Sequence, residues 1–172
     1  LIGFEKGCFK EKDHLISVDL KDSVIREALD TITDLDNRYT WRAYAIGGGQ
    51  LDKARSLIVN VFPRNKSRDP DWLMNIRVKK GAIKETSPSE AISQVALHIP
   101  ELYEILYSNS GGITGSSLSG IGAKVQKFNI NIEFEDLSVR EILNEISLRS
   151  GGNGWIFECH DGEETSTFNI FP

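Results

Sequence analysis

Histidines, clustered carboxylates, a glycine-rich loop and cysteines are the groups in this sequence that could carry chemistry, and their spacing decides which chemistry is open. The histidines are His14, His98 and His160. None has a cysteine, a second histidine or a carboxylate at a recurrent metal or triad spacing, so each reads as a surface or helix-end residue. His98 falls at a helix end, where a cation is favoured by the helix dipole. One acidic cluster is Glu133, Glu135 and Asp136, and another is Asp161, Glu163 and Glu164. Glycoside hydrolysis would need one such acid with a raised pKa inside a cleft, whereas alternation puts Glu133 and Glu135 on the solvent side of a strand. The Asp161 cluster lacks the carboxylate order of an EF-hand calcium loop. Gly115 and Gly120 are spaced as in a phosphate loop, but Ile121 and Gly122 stand where its lysine and hydroxyl residue belong. Ser116, Ser117 and Ser119 lie in the same loop without a nucleophile-elbow motif. These patterns predict no catalytic residue, no metal ligand and no cofactor. A hydrolase with a dispersed site is the least supported reading.

The cysteines are Cys8 and Cys159, with no C-x-x-C pair. Two readings stand: a single long-range disulfide formed in an oxidising compartment, or two free thiols.

The elements that would position any site follow a duplicated pattern. Ile16-Ser17-Val18-Asp19-Leu20 alternates apolar and polar residues, as does Ile130-Asn131-Ile132-Glu133-Phe134. The stretch from Arg26 to Ile32 then matches Arg140 to Ile146 without a slip in register, and Trp41 falls opposite Trp155. Val59-Asn60-Val61-Phe62-Pro63 matches Phe168-Asn169-Ile170-Phe171-Pro172. Matched blocks in one order signal duplicated supersecondary units. Each copy reads as strand, helix and a two-stranded hairpin, and the fold class as α+β. The copies are expected to share one core, since a unit this small buries little surface alone.

The first helix should bury Ile25, Ala28, Leu29, Ile32 and Leu35, and its counterpart Val139, Ile142, Leu143 and Ile146. Ser138 and Glu141 predict a capping box, and Asp22 or Ser23 a simpler cap for the first helix. Strands are expected over 39–46, 57–62, 155–159 and 167–171. Gly47-Gly48-Gly49 should form one turn, and the stretch from His160 to Glu164, which contains Asp-Gly, the other. Between the copies, Leu73–Val78 predicts a strand. Ser87, Pro88 and Glu90 mark a helix start, and Pro100 separates that helix from a short second one. Residues 108–122 read as a flexible loop. The organisation is therefore an N-terminal arm (1–14), a first βαββ repeat (15–63), an intervening strand-helix segment with a Gly/Ser-rich loop (64–126) and a second βαββ repeat (127–172). Trp41 and Trp155 are expected as buried anchors and Trp72 as a partner contact. Asn60 and Asn169, unfavourable in strands unless their amides are used, should make structural hydrogen bonds.

The alternating strand, the polar turn and the helix Val139-Arg140-Glu141-Ile142-Leu143-Asn144-Glu145-Ile146, with a following strand, resemble the secretin and TonB short N-terminal domain. The match is best over 130–159 and weaker over 16–46. Ser150-Gly151-Gly152 fits the glycine that often follows the family's helix, and Leu35-Asp36-Asn37 does not. The resemblance implies a periplasmic, non-catalytic module that docks a protein partner or signals across the envelope.

Composition narrows the partners. With 20 basic and 25 acidic residues the net charge is −5, so phosphate backbones and anionic membrane surfaces are not expected ligands. No apolar run is long enough to cross a bilayer, so no transmembrane segment is expected. The chain opens on Leu1, as a processed or excised piece would, and what precedes it is not legible. The reading is an extracytoplasmic protein-docking module. The alternative is a small-molecule or peptide receptor that binds between the repeats. Partner identity and oligomeric state are not legible.

Overall fold

A computed structural model describes residues 2–6, 24–45, 57–107, 112–113, 130–151, 154–159 and 166–171. Along the chain run β1 (Ile2–Lys6), α1 (Ile25–Leu35), β2 (Tyr39–Ala45), β3 (Leu57–Pro63), β4 (Arg77–Thr86), α2 (Pro88–Ala96), α3 (Pro100–Tyr107), β5 (Gly112–Ile113), β6 (Ile130–Ser138), α4 (Val139–Arg149), β7 (Gly154–Cys159) and β8 (Ser166–Phe171). The protein is α+β. Among the described residues six strands form a mixed sheet in the order β2-β3-β1-β7-β8-β5, while β4 pairs with β6 in a separate antiparallel ribbon.

β1 lies at the centre of the large sheet, parallel to β3 and β7, with Ile2 opposite both Val59 and Gly154. This corrects the reading of residues 1–14 as an arm: residues 2–6 are the strand that joins the two hairpins. The signal is faint because a five-residue strand carrying Gly3, Glu5 and Lys6 has little apolar pattern. Gly3 is required by space. A Cβ there would sit 2.3 Å from Asn60 Nδ2 and 2.6 Å from the Trp155 ring.

α1 and α4 cover opposite faces of this sheet. Trp41, Ala43, Val59 and Val61 pack with Leu29 of α1 in one small cluster. Trp155 and Phe157 belong to a larger cluster with Ile142, Leu143 and Ile146 of α4, joined by α2, α3 and the β4–β6 ribbon. Among the described residues the expected single shared core is therefore two clusters, separated by the sheet. The 64–126 segment is no spacer, since α2 buries Ala91, Ile92, Val95 and Ala96, with Ile99 following it, against α4's cluster.

Local signals explain most elements. Capping boxes start α2 at Ser87 with Glu90, and α4 at Ser138 with Glu141. α1 begins at Val24 without a side-chain cap, and Asp22 and Ser23 lie outside the described residues. The strand expected over Leu73–Val78 instead starts at Arg77. Leu73 and Met74 sit, both buried, in a 3-10 turn over Leu73–Asn75. Gly112–Ile113, read as loop, is a short strand beside β8. The alternation of β6 holds: Ile130, Ile132 and Phe134 are buried, while Glu133 and Glu135 are exposed. The 16–20 strand, both hairpin turns, His14, His160, the Asp161 cluster, the Ser116 loop and Cys8 lie outside the described residues, as do the side chains of Cys159 and Asn169. The disulfide expectation lies there with them.

Candidate functional site

The most concentrated chemistry lies where β1 meets the start of α4. Glu5, next to last in β1, is fully buried at 0% exposure. Arg140, in the first turn of α4, reaches it through Nε to Oε1, and through Nη2 to Oε2 at 3.0 Å. Trp72 Nε1 donates to Oε2 at 2.9 Å. Arg140 Nη1 donates to Asn75 Oδ1 at 2.8 Å, and Asn75 Nδ2 donates to the Lys66 and Asp69 carbonyls at 2.8 and 2.6 Å. The guanidinium also lies 4.7 Å from the centroid of the Phe62 ring. Burial pushes the Glu5 carboxyl above its ordinary value, while the Arg140 guanidinium and Trp72 indole pull it down.

Beside this pair lies an amide network. Asn60 Nδ2 donates to Asn144 Oδ1 at 3.0 Å, and Asn144 Nδ2 donates back to Asn60 Oδ1 at 2.9 Å. Trp155 Nε1 donates to the same Asn144 oxygen at 2.8 Å. On the opposite face Trp41 Nε1 donates to Asp30 Oδ1 at 2.9 Å. Each tryptophan bonds a helix residue 11 positions earlier in the chain, and these are the positions that the sequence blocks align. The hydrogen bond expected of Asn60 is present.

These groups form a clamp. Both Glu5 oxygens already accept strong donors, and Arg140 is bound at both ends, so the pair fixes α4 and the 64–76 segment to the central strand. A charge-assisted, bidentate pair holds its geometry better than a neutral one. Trp72, expected to face a partner, is half-buried: its indole nitrogen is taken by Glu5, its ring meets Phe157 edge-on at 5.7 Å, and Lys66 Nζ sits 5.5 Å from it. It forms a wall of the clamp.

Against the outer side of Arg140 opens a cleft of about 270 Å³. Arg42 and Tyr44 of β2 line it with Ser67 and Arg68 of the connecting segment, Arg77 of β4 and the first turn of α4. Alternation turns Arg42 and Tyr44 away from the α1 face that holds Trp41 and Ala43.

Sequence reasoning missed Glu5, Arg140 and the cleft arginines. Arg140 was visible only as the counterpart of Arg26, which is exposed and stacks at 5.6 Å on Trp41. His98 is exposed and meets Phe134 edge-on at 6.4 Å. Among the described residues no group of three or more His, Cys, Asp or Glu could hold a metal ion, and no helix is long and apolar enough to cross a membrane. Compared with known family models, curated proteins and solved structures, the chain matches none of them.

Proposed function

We propose that this protein is a non-catalytic docking module that engages a protein partner through α1. The observation that carries the reading is the apolar stripe of that helix. Sequence spacing assigned Ile25, Ile32 and Leu35 to the core, yet they are exposed, while Ala28 and Leu29 are half-buried and Thr33 is buried. Ile25 is 62% exposed and Leu35 59%, with Ile32 beside them and Val24 just before the helix. Large apolar groups clustered on one helix face are the usual anchors of a helix-mediated contact. β2, next to α1, is the edge of the six-stranded sheet among the described residues. The resemblance of the strand-helix-strand blocks to the secretin and TonB short N-terminal domain points the same way, and with it goes an extracytoplasmic location.

The test compares proteins captured from the native envelope by the wild-type chain and by an Ile25→Glu/Leu35→Glu variant. Both positions are exposed, so circular dichroism should show an unchanged fold. A specific partner retained by the wild type and lost by the variant supports the reading. Equal capture by both chains would sink it.

A further inference from the structure

We propose that the cleft beside Arg140 binds a small molecule carrying two or more oxyanion groups, phosphate or carboxylate. The first ground is a local inversion of charge. The chain's net charge is −5, yet the cleft is lined by four arginines against two carboxylates, Asp69 and Glu141. The carboxylates are already engaged. Asp69 pairs with Lys66 at 2.7 Å, and Glu141 accepts from the Ser138 backbone and hydroxyl at 2.7 and 2.8 Å. Arg140 is neutralised by Glu5, and Arg77 pairs with Asp136 at 2.8 Å. Arg42 and Arg68 have no carboxylate partner among the described residues. Two guanidinium groups without an ion-pair partner therefore face one cavity, in which the lining carboxylate Glu141 lies 3.9 Å from Arg77 Nη1.

The second ground is geometry. The cavity's 270 Å³ is close to the lower bound of small-molecule sites, about 300 Å³, which favours a compact ligand over a peptide chain. Guanidinium forks match the planar oxygen pairs of carboxylates and phosphates, and Ser67 and Tyr44 add hydroxyl donors. The wall is stiff because Arg140 and Asn75 are locked into the clamp behind it. The start of α4 adds partial positive charge at the same place. The cleft lies on the sheet face opposite α1, so this inference stands apart from the docking reading.

Isothermal titration calorimetry with pyrophosphate and with citrate, glycerol serving as the neutral comparator, tests it on the full chain. The expected result is saturable one-to-one binding of at least one anion, and whichever binds more tightly identifies the preferred oxyanion. Arg42→Gln and Arg68→Gln should each weaken binding about tenfold or more, while Lys80→Gln, an exposed charge on β4, should change it less than about twofold. Both arginines are exposed, so the variants should keep the wild-type dichroism, and either alone suffices for the test. Absence of saturable binding by both anions would overturn the proposal. So would an equal loss in Lys80→Gln, since that is the behaviour of diffuse charge.

Discussion

Replacing Arg140 by methionine isolates the clamp. Methionine keeps much of the side chain's volume, so the change is chiefly the loss of a charge and its hydrogen bonds. The variant loses both contacts to Glu5, the bond to Asn75 and the stack on Phe62. Glu5 is left wholly buried with the Trp72 indole as its remaining side-chain donor. Breaking a buried ion pair by removing one partner costs about 3–5 kcal/mol. Domains have only about 5–15 kcal/mol of stability in total, so the shift is large. The loss should also depend on pH in a defined sense. Removing Arg140 takes away the main influences that lower the Glu5 pKa, so the carboxyl rises further above its ordinary value of 4.5. A group raised in the folded state favours folding when protonated, and that advantage is lost as pH rises. The variant's deficit should therefore be greater near pH ~7 than near pH ~4. Urea denaturation followed by tryptophan fluorescence at both pH values measures it. Adding Glu5→Gln to Arg140→Met should recover part of the loss, because no charge is then stranded. A deficit below about 1 kcal/mol at pH ~7, or one that does not change with pH, would refute a clamp built on the ionised pair.

Space and burial give further expectations. Gly3→Ala should destabilise by about 1–3 kcal/mol through overpacking against Asn60 and Trp155, measured by the same denaturation. Leu143→Ala, at a site only 2% exposed, should cost about 2–5 kcal/mol. Leu29→Ala, half-buried in the smaller cluster, should cost clearly less, and Glu133→Ala, on the solvent side of β6, almost nothing. Equal losses from the two leucine variants would contradict the division into a large and a small cluster.

What the sequence disclosed and what it hid differ in physical kind. α4 was legible because period, cap and burial agree: Ser138 and Glu141 close its start, and Ile142, Leu143 and Ile146 face inward. α1 was legible as a helix but not in its orientation. Periodicity reports which residues share a face, and tertiary context decides whether that face is covered. The 3-10 turn at Leu73 was hidden because a short apolar pair such as Leu73-Met74 is common to buried strands, helices and turns. Glu5 was hidden more deeply. A buried carboxylate depends on a partner brought from 135 residues away, and no local pattern encodes such an encounter. The cleft shares that difficulty, because Arg42, Arg68 and Arg77 come from three separate segments and each alone is an ordinary surface cation.

The place of β1 has a consequence for how the chain assembles. Its neighbours are β3 and β7, whose first paired residues are Val59 and Gly154. Each hairpin can form from nearby residues, but the strand that unites them pairs only across long loops. Such closure costs chain entropy before any contact repays it, and folds dominated by distant pairings form slowly. On the ribosome β1 emerges well before β7, so the β1–β7 ladder can close only after most of this sequence has left the tunnel. β1 can pair with β3 once both are out, and until β7 follows the other edge of β1 carries unpaired backbone groups, and such edges recruit other strands. The same strand that holds α4 through Glu5 thus waits for its second sheet neighbour, an interval in which an open edge exposes the chain to misassembly.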